Sequence, residues 1–207
     1  MIYRKMAGLY KISLNDVIEE YGEEATKNLL SDFSCPLNLD IEDFLRVKAI
    51  EFEKQSLCRT QLVFASYQDK RVLCGYYTIS QKSFNISKTA SLSKTKQRAV
   101  TKYATYYPEL KMHILPAPLL AQLGKNFTNG YNKLVTGDDL MKLACDDISL
   151  IHKIAGGKII YLECEDKQRL LDFYSKHGFV QFGKRELDKD EDKITGHYLI
   201  QMLRIMK

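Results

Sequence analysis

What most constrains the fold of this chain is a change of hydrophobic period part-way along it. Up to about Phe52, apolar residues recur every three or four positions, the spacing of helices that bury one face. Val17, Tyr21, Ala25 and Leu29 form one such stripe, with Asn15 or Asp16 able to cap its start, and Ile41, Phe44, Leu45, Ala49 and Phe52 form a second that opens at Asp40. The period then shortens. Thr60–Ser66 and Val72–Ser80 are rich in β-branched and aromatic residues, and the polar stretch Tyr67–Arg71 between them reads as a hairpin connection. Ser87–Tyr107 is polar and basic, either a loop or a weak helix. After Pro108 the spacing predicts a strand over Met112–Leu123, placed at an edge or bulged by Pro116 and Pro118. A helix over Gly137–Lys153, a short buried strand over Lys158–Cys164 and a helix over Asp166–Lys176 follow, then strands Phe179–Leu187 and His197–Met206. This order of elements specifies an α/β (α+β mixed) chain built on one mixed sheet.

Composition narrows the class further. The 207 residues are 45% apolar and 28% charged, enough to bury a core and unlike a disordered chain. No apolar run approaches the ~20 residues that span a bilayer, and the first residues lack the apolar centre of a signal peptide, so a cytoplasmic protein without membrane contact is expected. Five scattered cysteines with no CxxC pair argue against zinc ribbons and disulfide scaffolds. Protease HExxH, P-loop and GxSxG signatures are absent. Charge is uneven within the net +5: residues 82–113 carry seven basic side chains and one acid, whereas residues 15–33 carry six acids and one lysine. A basic segment in an otherwise near-neutral chain points to an anionic partner such as nucleic acid, or to a solvated face.

One segment carries the chemistry. Phe173-Tyr174-Ser175-Lys176-His177-Gly178-Phe179 reads FYxxxGF, and follows an apolar strand and a short helix. Upstream, Gly75-Tyr76-Tyr77-Thr78-Ile79-Ser80 reads GYYTIS, and Phe33, Cys35, Leu39, Asp40, Phe44 and Leu45 precede it. From Phe33 to the C-terminus the chain resembles the GNAT N-acetyltransferase superfamily, in particular a subgroup that includes toxins acetylating aminoacyl-tRNA. The resemblance implies a GNAT-like central mixed, mostly antiparallel sheet flanked by helices over residues 33–207. Residues 1–32 would add an N-terminal extension with an acidic amphipathic helix. It further implies transfer of an acetyl group from acetyl-CoA, without a metal, to a primary amine by direct attack.

The same resemblance assigns roles. The strand that would hold pantetheine contains Gln122, Leu123 and Gly124, and the loop and helix start that would hold the pyrophosphate are Asn132, Lys133, Leu134, Val135, Thr136, Gly137 and Asp138. The family's Q/R-x-x-G-x-G/A loop keeps only its last glycine here, and Val135 stands where a glycine is usual. Lys133 could supply charge that the loop lacks. Tyr174 would protonate the departing thiolate. No general base stands out: Glu163 is one candidate, His113 a weaker one, and a bound water could serve instead. Cys164 reads as packing rather than as a nucleophile. Lys94, Lys96, Arg98 and Lys102 are the candidate contacts to an RNA-linked acceptor, with Tyr103, Tyr106 and Tyr107 either stacking on bases or packed beneath the segment. The acceptor itself, the toxic role and a homodimer stay open. The alternative is a catalytically weak or inactive GNAT-fold protein serving as a CoA-binding or protein/nucleic-acid interaction module.

Overall fold

The computed structural model describes residues 8–86, 91–189, 193–194 and 196–206. Lys88 of the basic segment, the first seven residues of the N-terminal extension and residues 190–192 of the last hairpin connection lie outside the described residues. In chain order the strands and helices are β1 (Leu9–Ser13), α1 (Leu14–Tyr21), α2 (Glu23–Ser31), α3 (Leu39–Asp43), α4 (Ala49–Lys54), β2 (Cys58–Tyr67) and β3 (Lys70–Ile86). They continue with α5 (Lys94–Thr101), β4 (Thr105–Tyr107), β5 (Met112–Lys125), α6 (Gly137–Ala155), β6 (Ile159–Glu165), α7 (Gln168–Lys176), β7 (Val180–Glu186) and β8 (Tyr198–Ile205). A π-helical turn, Phe44–Lys48, joins α3 to α4, and a 3-10 segment, Thr128–Lys133, lies between β5 and α6.

The strands are hydrogen-bonded in the order β1-β2-β3-β5-β6-β8-β7, with β4 on β5. Of the registered pairs only β5 with β6 is parallel, through Leu119 opposite Tyr161; the others are antiparallel. A mixed, mostly antiparallel sheet with helices is therefore present. Among the described residues no helix is long and apolar enough to cross a membrane.

The chain divides into two compact units, Met1–Ser80 with Ala121–Cys145, and Gln81–Leu120 with Asp146–Lys207. The core of the first is lined by Leu14, Val17, Leu30, Phe33, Phe44, Leu45, Leu62 and Tyr76. Residues of the N-terminal extension are part of it: β1 pairs with β2 from Leu9–Ala65 to Ser13–Gln61. The expected hairpin is present as a two-residue turn, in which Gln68 (φ 49°) and Asp69 (φ 59°) both take the left-handed conformation that such turns require. The core of the second unit contains Phe84, Ile86, Val100, Leu115, Tyr161 and Phe182, and Phe84 stacks on Tyr161 with ring centroids 4.4 Å apart.

Four local expectations are corrected. The stripe Val17–Tyr21–Ala25–Leu29 is not one face, because Gly22 (φ 81°) separates α1 from α2 and resets the helical phase. Tyr21 is 64% exposed, while Leu14, Thr26 and Leu30 are buried. The second stripe is likewise interrupted, by the π-helical turn; Phe44, Leu45, Ala49 and Ile50 face inward and Phe52 is exposed. Of the two readings of the proline-bearing strand, the edge position is overturned: the strand lies between β3 and β6 in the sheet order. Pro116 and Pro118 fall between the residues registered with β4 (Met112–Ile114) and the one registered with β6 (Leu119). Finally, α7 starts two residues later than expected, after Lys167, with no side-chain cap; the Asp166 carboxylate instead accepts a hydrogen bond from the Tyr198 hydroxyl, 2.7 Å.

Within the first unit, two strands approach too closely for side chains. A Cβ on Gly75 would sit 2.8 Å from the Gly124 carbonyl oxygen, and one on Gly124 would sit 2.3 Å from Ile41 Cγ2. The first clash is with backbone and cannot be relieved by a rotamer change. Gly75→Ala is therefore expected to cost more than about 2 kcal/mol, read as a lower urea midpoint than wild type at unchanged m-value.

Candidate active site

In the first unit the residues proposed to hold the cofactor run from the end of β5 to the start of α6. Gln122 donates through Nε2 to Asp40 Oδ2, 3.1 Å, and Gly124 is buried against Ile41 and Tyr76. Tyr76 is fully buried, and its hydroxyl donates to the Ile41 carbonyl, 2.6 Å. Burial drives its pKa far up, so it is a neutral structural phenol.

The loop that follows is shaped mainly by side chains. Lys125 Nζ donates to the Asn132 carbonyl, 2.9 Å. Asn126 is buried; its Oδ1 accepts from the Ser34 and Thr128 amides (3.0 and 3.1 Å), and its Nδ2 donates to the Leu73 carbonyl, 2.8 Å. The left-handed backbone falls at Asn129 (φ 52°) and Gly130 (φ 76°). Val135 is 2% exposed and lies outside the left-handed region, so its β-branched side chain imposes no strain and packs inward. Lys133 is exposed and places a cation on the loop.

The first turn of α6 is closed by a reciprocal cap. Asp139 Oδ2 accepts from Thr136 N–H and Oγ1–H (2.9 and 2.6 Å), and Thr136 Oγ1 accepts from the Asp139 amide, 3.1 Å. Two of the helix-end amides are thereby satisfied internally, and Asp138 adds a second acid to this turn. A diphosphate at this end would thus meet the cation of Lys133 together with acidic side chains.

The second unit holds Tyr174. It lies in the last turn of α7, half-buried, with Phe173 and Phe179 at ring-centroid distances of 5.2 and 6.0 Å. Gly178 (φ 82°) turns the chain so that the Phe179 amide bonds the Tyr174 carbonyl, 3.1 Å. This is the physical content of FYxxxGF: aromatic packing and a glycine turn fix the ring. Burial and then the neighbouring Cys164 push the phenol pKa up, so the hydroxyl is protonated at neutral pH. It makes no hydrogen bond to another described residue. The Cys164 thiol is itself buried and raised to about 12, the state of a packing residue. All five cysteines are buried and free.

Glu163 sits differently from what a general base needs. Strand alternation puts it on the opposite face of β6 from Cys164. Its Oε2 accepts from Arg185 Nε, 2.7 Å, and lies 3.4 Å from Lys82 Nζ; its Oε1 accepts from the Tyr161 hydroxyl and from Gln201 Nε2, 3.2 Å. Burial alone would raise its pKa, but hydrogen bonds from Tyr161 and Arg185 and the charges of Lys82 and Arg185 outweigh that and hold it below the usual carboxylate range. The arrangement is a buried, paired carboxylate, poorly suited to taking a proton at neutral pH. Tyr161, Arg185 and Gln201 escaped the sequence reading. The alternation in IIYLEC, which puts Tyr161 beside Glu163, was the available signal.

His113, opposite Tyr106 in the β4–β5 register, packs on that ring at 4.9 Å between centroids. The basic segment divides in two. Lys82 is committed to Glu163, whereas α5 presents Lys94, Lys96 and Arg98 to solvent, and Lys102 follows it. Lys94, Arg98 and Lys102 recur every four residues along one face. The opposite side of the helix is anchored by Val100, which is fully buried. Tyr103, Tyr106 and Tyr107 are each more than 40% exposed, not packed beneath the segment. Among the described residues no group of three or more His, Cys, Asp or Glu side chains is arranged to hold a metal ion.

The GNAT-like fold expected from the sequence is the fold of this chain. A mutant of KacT has a TM-score of 0.61 at 17% identity, covering 93% of this chain and 94% of that one. AtaT complexed with acetyl-methionyl-tRNAfMet matches with 0.59 at 18% identity, over 93% of each chain. AtaTR bound with AcCoA matches with 0.53 at 15% identity, over 94% of this chain and 93% of that one. No protein-family model matches the sequence, and no curated protein matches it.

The ion-paired carboxylate predicts a specific acid response. A folded-state pKa held below the unfolded value of about 4.3 contributes stability above that value and loses it as pH falls through the folded pKa. Wild type should be more stable than Glu163→Gln at pH 7, and urea titrations should show the difference closing between about pH 5 and 3.

Proposed function

We propose that the protein is an N-acetyltransferase that moves the acetyl group of acetyl-CoA to a primary amine, and that this amine is the α-amine of an aminoacyl-tRNA. The observation that carries the reading is the packed, protonated Tyr174 hydroxyl, which has no hydrogen bond to a described residue. Acetyl-CoA supplies a thioester. The amine nitrogen attacks its carbonyl carbon, the new C–N bond forms as the C–S bond breaks, and Tyr174 gives its proton to the sulfur. The proton lost from the amine passes to solvent, from which the phenol recovers its own. A phenol is protonated at neutral pH already at its ordinary pKa of about 10, so Tyr174 holds the proton that the thiolate needs.

The remaining assignments follow the same chemistry. Gln122, Leu123 and Gly124 would lie along the pantetheine. Asn132, Lys133, Leu134, Val135, Thr136, Gly137 and Asp138 would surround the pyrophosphate, with Lys133 as its cation. Glu163 is proposed as a positioning group for Arg185 and Lys82, and solvent takes the amine proton. The low basicity of an aminoacyl α-amine makes a strong base unnecessary. Two solved neighbours support the substrates, being described with AcCoA and with acetyl-methionyl-tRNAfMet. The exposed cations Lys94, Lys96, Arg98 and Lys102 supply the electrostatic attraction an RNA-linked acceptor needs. A second reading, cofactor binding without turnover, is favoured by the acids at the start of α6.

Tyr174→Phe should lower kcat about 10²-fold or more in an assay of acetyl-CoA with charged tRNA, with cofactor affinity by calorimetry unchanged. Unchanged turnover would remove Tyr174 from the chemistry; no turnover in wild type would favour the second reading. Replacing Lys94, Lys96, Arg98 and Lys102 together by glutamine should weaken charged-tRNA binding and flatten its dependence on salt, with a slope lost of roughly 0.7–0.9 per phosphate contact. Equal slopes would exclude these residues as phosphate contacts.

A further inference from the structure

The loop between β5 and α6 lacks the glycine pattern that would let bare backbone wrap a phosphate, yet it is tied down at both ends by two consecutive side chains. Lys125 reaches forward seven residues to the Asn132 carbonyl, 2.9 Å. Asn126, 3% exposed, holds the near end: its Oδ1 accepts from Thr128 N–H at 3.1 Å and from Ser34 N–H at 3.0 Å, while its Nδ2 donates to the Leu73 carbonyl of β3 at 2.8 Å. Its own amide donates to the Cys74 carbonyl, 2.8 Å, and the next amide, of Phe127, to the Ser34 carbonyl, 2.7 Å. The Thr128 hydroxyl completes the anchor by donating to the Asp32 carbonyl. Between these pins Asn129 and Gly130 make the left-handed turn, and Asn132 and Lys133 emerge after it.

We infer that Lys125 and Asn126 are positioning residues for the cofactor: they hold the Thr128–Leu134 loop in one conformation and so set the affinity for acetyl-CoA without touching it. The inference rests on the proposed function, because it assumes that this loop meets the pyrophosphate. A loop held in advance has less conformational entropy to lose on binding, so releasing a pin weakens affinity even when the contact atoms are unchanged. Lys125 spends its charge on a carbonyl within the loop, so its removal should loosen the loop without removing a phosphate contact.

The test is calorimetric titration of acetyl-CoA with the full chain and with Lys125→Met, Lys125→Arg and Asn126→Ala, alongside steady-state kinetics with charged tRNA. Lys125→Met is expected to raise the Kd and the KM for acetyl-CoA about tenfold, the effect of losing a hydrogen bond from a charged donor, with kcat at saturating cofactor within about twofold. Lys125→Arg, which keeps the donor, should recover most of the affinity. Asn126→Ala should weaken binding at least as much wherever circular dichroism shows it folded. Because the role is conformational, the salt dependence of binding should be the same in Lys125→Met as in wild type; a flatter slope would make Lys125 a direct phosphate contact and overturn the inference. Unchanged affinity in folded Lys125→Met overturns it as well, while leaving the acetyltransferase reading intact. Absence of acetyl-CoA binding by wild type overturns both.

Discussion

The first unit depends on one buried amide. Asn126 uses both ends of its side chain, accepting twice and donating once, and its backbone N–H donates to β3. Away from water each of these groups must be matched inside the protein, since one left unmet costs about 1–3 kcal/mol. A side chain with several obligations can satisfy them in only one arrangement. The amide therefore fixes at once the segment around Ser34, the strand at Leu73 and the start of the loop at Thr128. Close to it, Gly75 and Gly124 let two backbones meet where any side chain would collide. Polar satisfaction and the absence of Cβ atoms cooperate to place the end of β5 where the candidate cofactor residues begin.

The second unit applies the same rule with charge. The Glu163 side chain is only 7% exposed, and it is held ionised by the Arg185, Lys82, Tyr161 and Gln201 side chains around it. Strand alternation then gives β6 two chemically distinct faces. One carries the paired carboxylate, the other carries Cys164 and the influence of Tyr174. Burial acts in the same direction on the two groups, favouring the protonated form of each; the phenol follows it, while the carboxylate is kept charged by its partners. The proposed division of roles, with Tyr174 as proton donor and solvent taking the amine proton, is consistent with this difference.

In the loop between β5 and α6, side-chain hydrogen bonds shape the backbone. Val135, which stands where the resemblance expects a glycine, carries no backbone strain, because the left-handed residues lie at Asn129 and Gly130 and Val135 is buried. What the loop gains in definition it offsets with acidity at the start of α6, where Asp139 completes the cap with Thr136. On the other unit, α5 buries Val100 and exposes the cations Lys94, Lys96 and Arg98.

Elements whose formation is governed by local rules were legible in the sequence. A hairpin connection within Tyr67–Arg71, the start of α6 at Gly137, its end at Gly156 and the glycine turn after Tyr174 all follow from backbone preference and side-chain period, whereas the tight turn at Gln68 and Asp69 is seen only in the structure. The FYxxxGF segment singles out Tyr174 as a candidate, and the structure adds the aromatic packing and glycine turn around it. Helical phase was misread across Gly22, since a periodic count does not register a residue that restarts the helix. The internal position of β5 was hidden as well, because prolines argue for an edge unless the partners of each neighbouring residue are known. The obligations of Asn126, the partners of Glu163 and the contact of Lys125 with Asn132 involve residues brought together by the sheet and the loop that follows it. The sequence by itself determined which segments turn, coil and extend, because those choices are made within a few residues. Only the tertiary structure decided which polar groups are buried and by whom they are answered, because a hydrogen bond between residues as distant as Ser34 and Asn126 exists only after the chain has folded.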